Sequence, residues 1–477
     1  MPGAFRSIPG GRVAVSAGTI ALALILATAA VVSAADPFKG GTKSGSALNM
    51  EVVGHTDLGG RGFNADVWVH DGVAYVGQWG FTDWAVGNSR FCPEGEDSGV
   101  AMVDVSDPAN PIDLGVLQNP EGTSAEDVVA FTAEYGPYAG RDIAVVGIQV
   151  CGGARDDMSI ERGLQVWDVT DPENPVEIGF WSSECCTRGI HELEVQHRDD
   201  LDRTFVYATV PTSRYPDEST ASGYRDEDGD GDFRLIDITD PTDPFQVSSW
   251  GVQDDGGPWT EGQGCDADPN YGHGVEPSAD GRYAFMAYWD SGFIMLDLLD
   301  PANPVMVGRT EYPSNADGDA HSSQFDEARE LLFTADEDFC MNSGPGIERG
   351  YGYLRVYDYS DPDNPVQIGE YRTPNSMGPS DKAAGDYTIH NNFLVGTDLY
   401  ISWYSDGVRV VDTSDPTNPV EVAYFVPPAG INPVKPSQRG VLTNQAQVWG
   451  VVVDEATGLV YISDMNTGLW ILERTDT

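Results

Sequence analysis

The chain has 477 residues, and its 76 acidic side chains outnumber 26 basic ones, for a formal net charge of −50. A field of that sign repels nucleic acid and anionic lipid, so neither is expected as a partner. The plainest cause is a solvated acidic surface, with cation capture confined to particular clusters.

Residues 1–35 read as a secretory signal. Arg6 and Arg12 supply the positive start, residues 13–32 are apolar without a charge, and Ser33-Ala34-Ala35 offers small residues for cleavage before Asp36. No paired arginine and no cysteine at that point indicate twin-arginine export or a lipid anchor. No later apolar run approaches the length of a membrane span. The expectation is an exported protein, extracellular or associated with the cell surface, and monomeric. Residues 36–47 read as a Gly/Ser/Lys linker, and 48–475 as one repeat domain.

That domain writes one unit six times. Residues 407–424 (GVRVVDTSDPTNPVEVAY) are its cleanest copy: an alternating strand, an Asp-Pro-Thr-Asn-Pro corner, and a second strand that opens on a proline and so suits a sheet edge. Pro416 presets φ for the turn, and Asp415 and Asn418 can bond the nearby backbone. The unit recurs at 100–116, 164–180, 233–250, 294–309 and 354–371. These residues resemble the LVIVD-repeat proteins of bacterial and archaeal surfaces, and more narrowly the secreted choice-of-anchor B group. The resemblance implies a surface-associated β-propeller and favours a binding role.

Residues 48–54 resemble only the second half of the unit, while 447–453, 459–463 and 468–473 give three strands and no fourth. The first strand therefore completes the last sheet. The fold predicted is an all-β, seven-bladed β-propeller of four-stranded antiparallel blades, with six full blades at 62–120, 121–186, 187–253, 271–312, 320–373 and 388–427, and the seventh split between 445–475 and 48–54. Long connections fall at 80–99, 151–163, 211–232 and 337–352, and between blades at 251–271, 311–320, 373–388 and 427–446. In an up-and-down sheet these lie on one face, and function carried on loops belongs there.

Six cysteines, an even number, fit disulfides in an exported chain, and no C-x-x-C spacing favours a thiolate metal site. Cys92 and Cys151 fall at matching places in neighbouring repeats and form the first expected pair. The adjacent Cys185 and Cys186 are expected to take different partners, with Cys265 and Cys340 available.

Aligning the first strand of every blade puts Ala65, Glu126, His191, His273, His321, His390 and Trp449 in one register at the channel mouth. Imidazoles converging on a point suit a transition metal, zinc, copper or iron, with His191, His273, His321 and His390 as ligands. Glu126, Glu192 and Asp336 are candidates to orient the rings, and Glu126 or Glu192 to act as a catalytic base. A histidine-lined axis is similar to that of the carotenoid-cleavage oxygenases and the selenium-binding/methanethiol oxidase family, but no motif is shared and no residue role carries over. Two other readings of the four histidines stay open: a polar packing ring copied by duplication, and direct binding of an organic ligand.

A second cluster, Asp226, Asp228, Asp230 and Asp232, matches the first half of a calcium loop with glycine at the turn. Asp237 stands where that loop needs a bidentate glutamate, so a solvated acidic loop is the competing reading. Trp79, Trp84, Trp289, Trp403 and Tyr404 are candidates either to floor a pocket or to pack between blades. No G-x-S-x-G, H-E-x-x-H or phosphate-cradling loop occurs. Two functions follow: a secreted metalloprotein, in its fullest form a metal-dependent oxidoreductase, or a non-catalytic scaffold that meets an extracellular protein or glycan through its loop-rich face.

Overall fold

The alternating strands and Asp-Pro corners of the repeat fold as their pattern demands. The computed structural model describes residues 45–84, 89–151, 159–183, 187–211, 230–257, 259, 271–316, 318–339, 350–377, 385–430 and 445–476. These residues form antiparallel sheets and contain no α-helix. Three sheets have four consecutive strands: Leu193–Arg198 to Phe245–Trp250, Val275–Pro277 to Val305–Arg309, and Ala320–Asp326 to Val366–Tyr371. An eight-stranded sheet consists of two such runs, Asn64–His70 to Ile112–Gln118 and Thr123–Thr132 to Val176–Ser182, bridged at Gln78 and Ala125. The architecture is of the propeller type.

The corners are held by a backbone turn and by a side-chain cap ahead of it. In five of the six copies asparagine (Asn110, Asn174, Asn303, Asn364, Asn418) closes a turn onto the carbonyl of the aspartate three residues before it, at 2.9–3.0 Å, and Asp243 does so in the remaining one. The aspartate ending the preceding strand caps the chain two residues on, as Asp104 does for the Ser106 amide at 2.9 Å and Asp412 for that of Ser414 at 2.8 Å.

Every copy also carries the same β-bulge between the strands flanking the corner, for instance between Val356 and Tyr357 opposite Gly369 and Gln367. In four copies the residue beside the bulge receives the next blade's corner. A Cβ on Gly179, Gly308 or Gly369 would overlap the backbone carbonyl oxygen of Pro241, Pro362 or Pro416 respectively. Where serine replaces glycine, at Ser248, its hydroxyl donates to the Pro301 carbonyl at 2.6 Å instead. At these joints blade seats on blade through a proline carbonyl and a position with little or no side chain, whereas Gly115, the same position in the first copy, meets nothing within 4 Å.

The chain ends meet as the sequence predicts. Met50–Thr56 pairs antiparallel with Gly468–Arg474 and completes the four-stranded sheet of Val448–Asp454, Leu459–Asp464 and Gly468–Arg474. It carries the repeat's bulge, between Val52 and Gly54, and Gly54 faces the carbonyl of Pro108 in the first Asp-Pro corner. The seam is filled by an apolar cluster that includes Val67, Val76 and Val103 from one side and Tyr461, Leu469 and Ile471 from the other. Ser46–Leu48, with Ser46 and Ala47 expected to end the linker and Leu48 to open the closing strand, is instead a short strand on Val420–Val426, making the sheet of Asn392–Val395 to Val420–Val426 five-stranded. Asn49, with φ 53°, turns the chain from one sheet to the next, and its side-chain amide donates to the Val422 carbonyl at 2.8 Å.

Cys92 and Cys151 form a disulfide, as their matching places predict, while Cys185, Cys186, Cys265 and Cys340 lie outside the described residues. Among the described residues no helix is long and apolar enough to cross a membrane.

Gly54→Ala and Gly308→Ala should each lower the free energy of unfolding by about 1–3 kcal/mol, the usual range for overpacking a tight contact. Urea denaturation followed by tryptophan fluorescence measures this, and unchanged midpoints would remove the corner-to-glycine contact from the account.

Candidate metal centre

The inner strands come close enough at the channel mouth to leave room only for backbone at certain positions. A Cβ on Gly274, next to His273, would overlap the carbonyl of His321 and lie 2.6 Å from the Glu192 carboxylate. Gly450, next to Trp449, is pressed in the same way against the amide of Val67. With the backbones this close, side chains of adjoining strands stack on one another. Ring centroids are 4.2 Å apart for His191 and His273, 4.0 Å for His273 and His321, 4.1 Å for His321 and His390, and 4.4 Å for His390 and Trp449. All four imidazoles are buried, at 0–3 % exposure.

The outer ring nitrogens of His191 and His390 are anchored by hydrogen bonds. His191 Nδ1 donates to Glu126 Oε2 at 2.9 Å, and Gln149 Nε2 donates to the same oxygen. His390 Nδ1 donates to the Trp449 carbonyl at 2.8 Å, and His273 Nδ1 lies 3.3 Å from Glu192 Oε1. Fixing Nδ1 as the protonated nitrogen leaves the Nε2 lone pair of His191 and His390 turned inward, the arrangement in which a carboxylate or carbonyl sets the tautomer of a ligating histidine. Burial reinforces this at His390, holding it neutral with its pKa pushed down to about 3.

The inward nitrogens meet carboxylates. His191 Nε2 and His273 Nε2 are 2.9 Å apart. His321 Nε2 lies 3.6 Å from Glu192 Oε1 and 3.7 Å from Glu337 Oε2, and Glu337 is also 3.9 Å from the Nε2 atoms of His273 and His390. Two overlapping groups result, His191–Glu192–His273 and His273–His321–Glu337, in each of which the ligand atoms lie within 4.8 Å of one another. Imidazole nitrogen and carboxylate oxygen are the donors a transition ion takes; a tetrahedral ion would set two nitrogens about 3.3–3.4 Å apart, so the 2.9 Å hydrogen-bonded pair must open slightly to share one. The four histidines form an arc and not a single shell, with His273 shared between the two groups and His390 at one end.

Two predicted roles fall differently. Asp336 does not reach the site, because its oxygens accept from Arg355 Nε at 2.6 Å and from the Tyr312 hydroxyl at 2.8 Å. The next residue, Glu337, takes its place, held by a hydrogen bond from the Tyr404 hydroxyl. Trp289 stacks on His273 at 5.4 Å, Tyr404 packs edge-on to His390 at 5.2 Å, and Trp79 lies 5.2 Å from Trp449, so these three line the site. Trp403 belongs to an inter-blade core, and the side chain of Trp84 lies outside the described residues. Phe63, Trp289 and Tyr404 hold positive φ of 22°, 37° and 31°, a conformation costly for aromatic residues and concentrated here at the mouth.

Of the acidic loop, Asp226 and Asp228 lie outside the described residues. Asp230 accepts from Gln246 Nε2 at 2.8 Å and Ser249 Oγ at 2.7 Å, and Asp232 accepts from the Gly272 amide at 2.7 Å. Both tie strands together.

Further along the inner strands the channel opens into a cavity of about 200 Å³ whose lining includes Asp66, Asp127, Glu192, Glu194 and Glu276. Burial and neighbouring acids push these carboxyls up: Asp66, Glu192 and Glu194 well above the usual range, Asp127 to about 7 and Glu276 to about 8.

The LVIVD repeat matches the chain at residues 95–116, 276–311 and 394–425, which hold three of the six Asp-Pro units. No curated protein matches the chain.

The raised carboxyls have a defined consequence. Between the unfolded pKa of 4.5 and about 8 the native state keeps the Glu276 proton that the unfolded chain releases, so this group's stabilising contribution is full at low pH and is lost as pH rises to about 8. In chelator-treated protein, Glu276→Gln should flatten the decline of stability across that window, by at most about 1.4 kcal/mol per pH unit. Urea midpoints at pH 5 and pH 8 for both proteins check it, and identical slopes would contradict it.

Proposed function

We propose that this chain is an exported, seven-bladed LVIVD-repeat propeller that holds a transition-metal ion at the mouth of its channel. Dividing the eight-stranded sheet at its Gln78–Ala125 bridge, and counting the sheet closed by Met50–Thr56 as the last blade, supports this count. Export accords with the Cys92–Cys151 disulfide, a bond that persists in oxidising surroundings, and with the sequence of residues 1–35.

One observation carries the metal reading: four buried imidazoles, those at either end of the arc with Nδ1 spent on fixed acceptors, turn their Nε2 atoms toward one another and toward Glu192 and Glu337. A ring serving only to pack the blades would gain nothing from two carboxylates brought into a buried nest of nitrogens, since burying ionisable groups is costly unless they are paired or bind a cation. His273 is the central ligand, His191 and His321 flank it, and Glu192 and Glu337 supply oxygen. Glu126 orients His191, and Tyr404 orients Glu337.

A bound ion would supply Lewis acidity or, if it is iron or copper, one-electron chemistry. To bind it Glu192 and Glu337 would give up their protons, and such chemistry is in keeping with an oxidoreductase. The competing scaffold reading depends on loops that lie largely outside the described residues.

Protein purified without tag or chelator should carry about one transition-metal ion per chain by plasma mass spectrometry. His273→Gln should lose it. Glu126→Gln should weaken affinity about 10–100-fold, as expected for a residue that orients a ligand. Absence of metal from native protein, with no affinity in titrations, would overturn the proposal.

A further inference from the structure

The four inner strands that supply the histidines also supply a second ring of polar groups, deeper in the channel: Glu194, Glu276, Ser323 and Asn392, all lining the 200 Å³ cavity. They lie two or three residues beyond His191, His273, His321 and His390, and offer only oxygen. Asp66 and Asp127 stand across the cavity, and its lining includes no lysine or arginine.

Acids alone would not make a site, because buried carboxyls can stay protonated. The neutral groups supply the further reason. Ser323 and Asn392 are each 7 % exposed, and their Oγ and Oδ1 atoms have no hydrogen-bond partner, nor has Oδ1 of Asn391 beside them. The amide orientations are set by the other end: Asn392 Nδ2 donates to the Phe333 carbonyl at 3.4 Å, and Asn391 Nδ2 donates to Asp66 Oδ1 at 2.7 Å. Their unpaired atoms are therefore acceptors. A buried acceptor left unpaired costs about 1–3 kcal/mol, so this cavity is built for an occupant that brings positive charge or donated protons.

We infer that the cavity binds a hard divalent cation of the calcium class, together with some of its water, between Glu194, Glu276, Ser323 and Asn392. Carboxylate, amide carbonyl, hydroxyl and water oxygens are the ligands such an ion takes, six to eight at a time, and the cavity has room for the ion and several waters. The channel thereby sorts cations by chemistry, with nitrogen-rich ligands at the mouth and oxygen below. This site is distinct from the Asp226–Asp232 loop and does not depend on the metal at the mouth.

The test uses the full chain, stripped with chelator and titrated with calcium chloride in 0.15 M salt by calorimetry. Wild type should show one tight equivalent above the weak binding of its acidic surface. Glu194→Gln/Glu276→Gln should weaken that equivalent at least tenfold while leaving transition-metal content unchanged, which separates this site from the one above. Terbium bound in the same place should luminesce through Trp68, which also lines the cavity, and the emission should vanish in Trp68→Phe without loss of calcium affinity. If the double variant does not fold, Ser323→Ala serves, with a severalfold loss expected. Calcium affinity equal in wild type and the variant measured would overturn the inference.

Discussion

The channel mouth depends on one pairing, that of Met50–Thr56 with Gly468–Arg474. Each histidine sits at the start of a different inner strand or just ahead of it, and the distance between neighbouring strands is set by how many sheets share the circle. An open seam would let the sheets relax their mutual twist, and contacts of about 4 Å between rings would not survive. The closing strand does more than supply hydrogen bonds. It carries the repeat's bulge and a glycine that seats the proline carbonyl of the first corner, so the seam is made of the same parts as the joints between full repeats.

Those joints explain why the repeat has the composition it has. Aspartate and asparagine fold the corner on themselves, proline stiffens it, and the bulge swings a small residue outward to receive it. Rigidity at the rim lets the inner strands hold buried polar groups in place. The centre of the molecule is accordingly unlike an ordinary core: imidazoles, carboxylates and amides occupy it, and aromatic residues in a left-handed backbone conformation wall it in.

Much of this was legible from the amino-acid sequence because a repeat states its period openly. The Asp-Pro corners, the split last sheet, the Cys92–Cys151 pair and the shared register of His191, His273, His321 and His390 all follow from alignment of the chain with itself. Less was legible where one residue decides direction. In Asp336-Glu337-Asp338 the strand ends at Asp336, whose side chain turns to Arg355, and the following residue turns inward. Pattern alone placed Asp336 near the histidines, while the pairing of an arginine two strands' length away was invisible to it. Likewise a register shows which residues share a level but not how they divide. The arc of four histidines, with His273 common to two ligand groups, depends on ring orientations set by Glu126 and by the Trp449 carbonyl.

The central claim is that inward-facing imidazoles of this arc bind an ion. X-ray absorption at the metal edge of natively produced protein tests it most directly, because it reports the atoms around the ion. The account predicts a first shell rich in imidazole nitrogen, at about 2.0–2.1 Å if the metal is zinc, with one or two carboxylate oxygens. A shell made only of oxygen, or thiolate sulfur in the first shell, would contradict it.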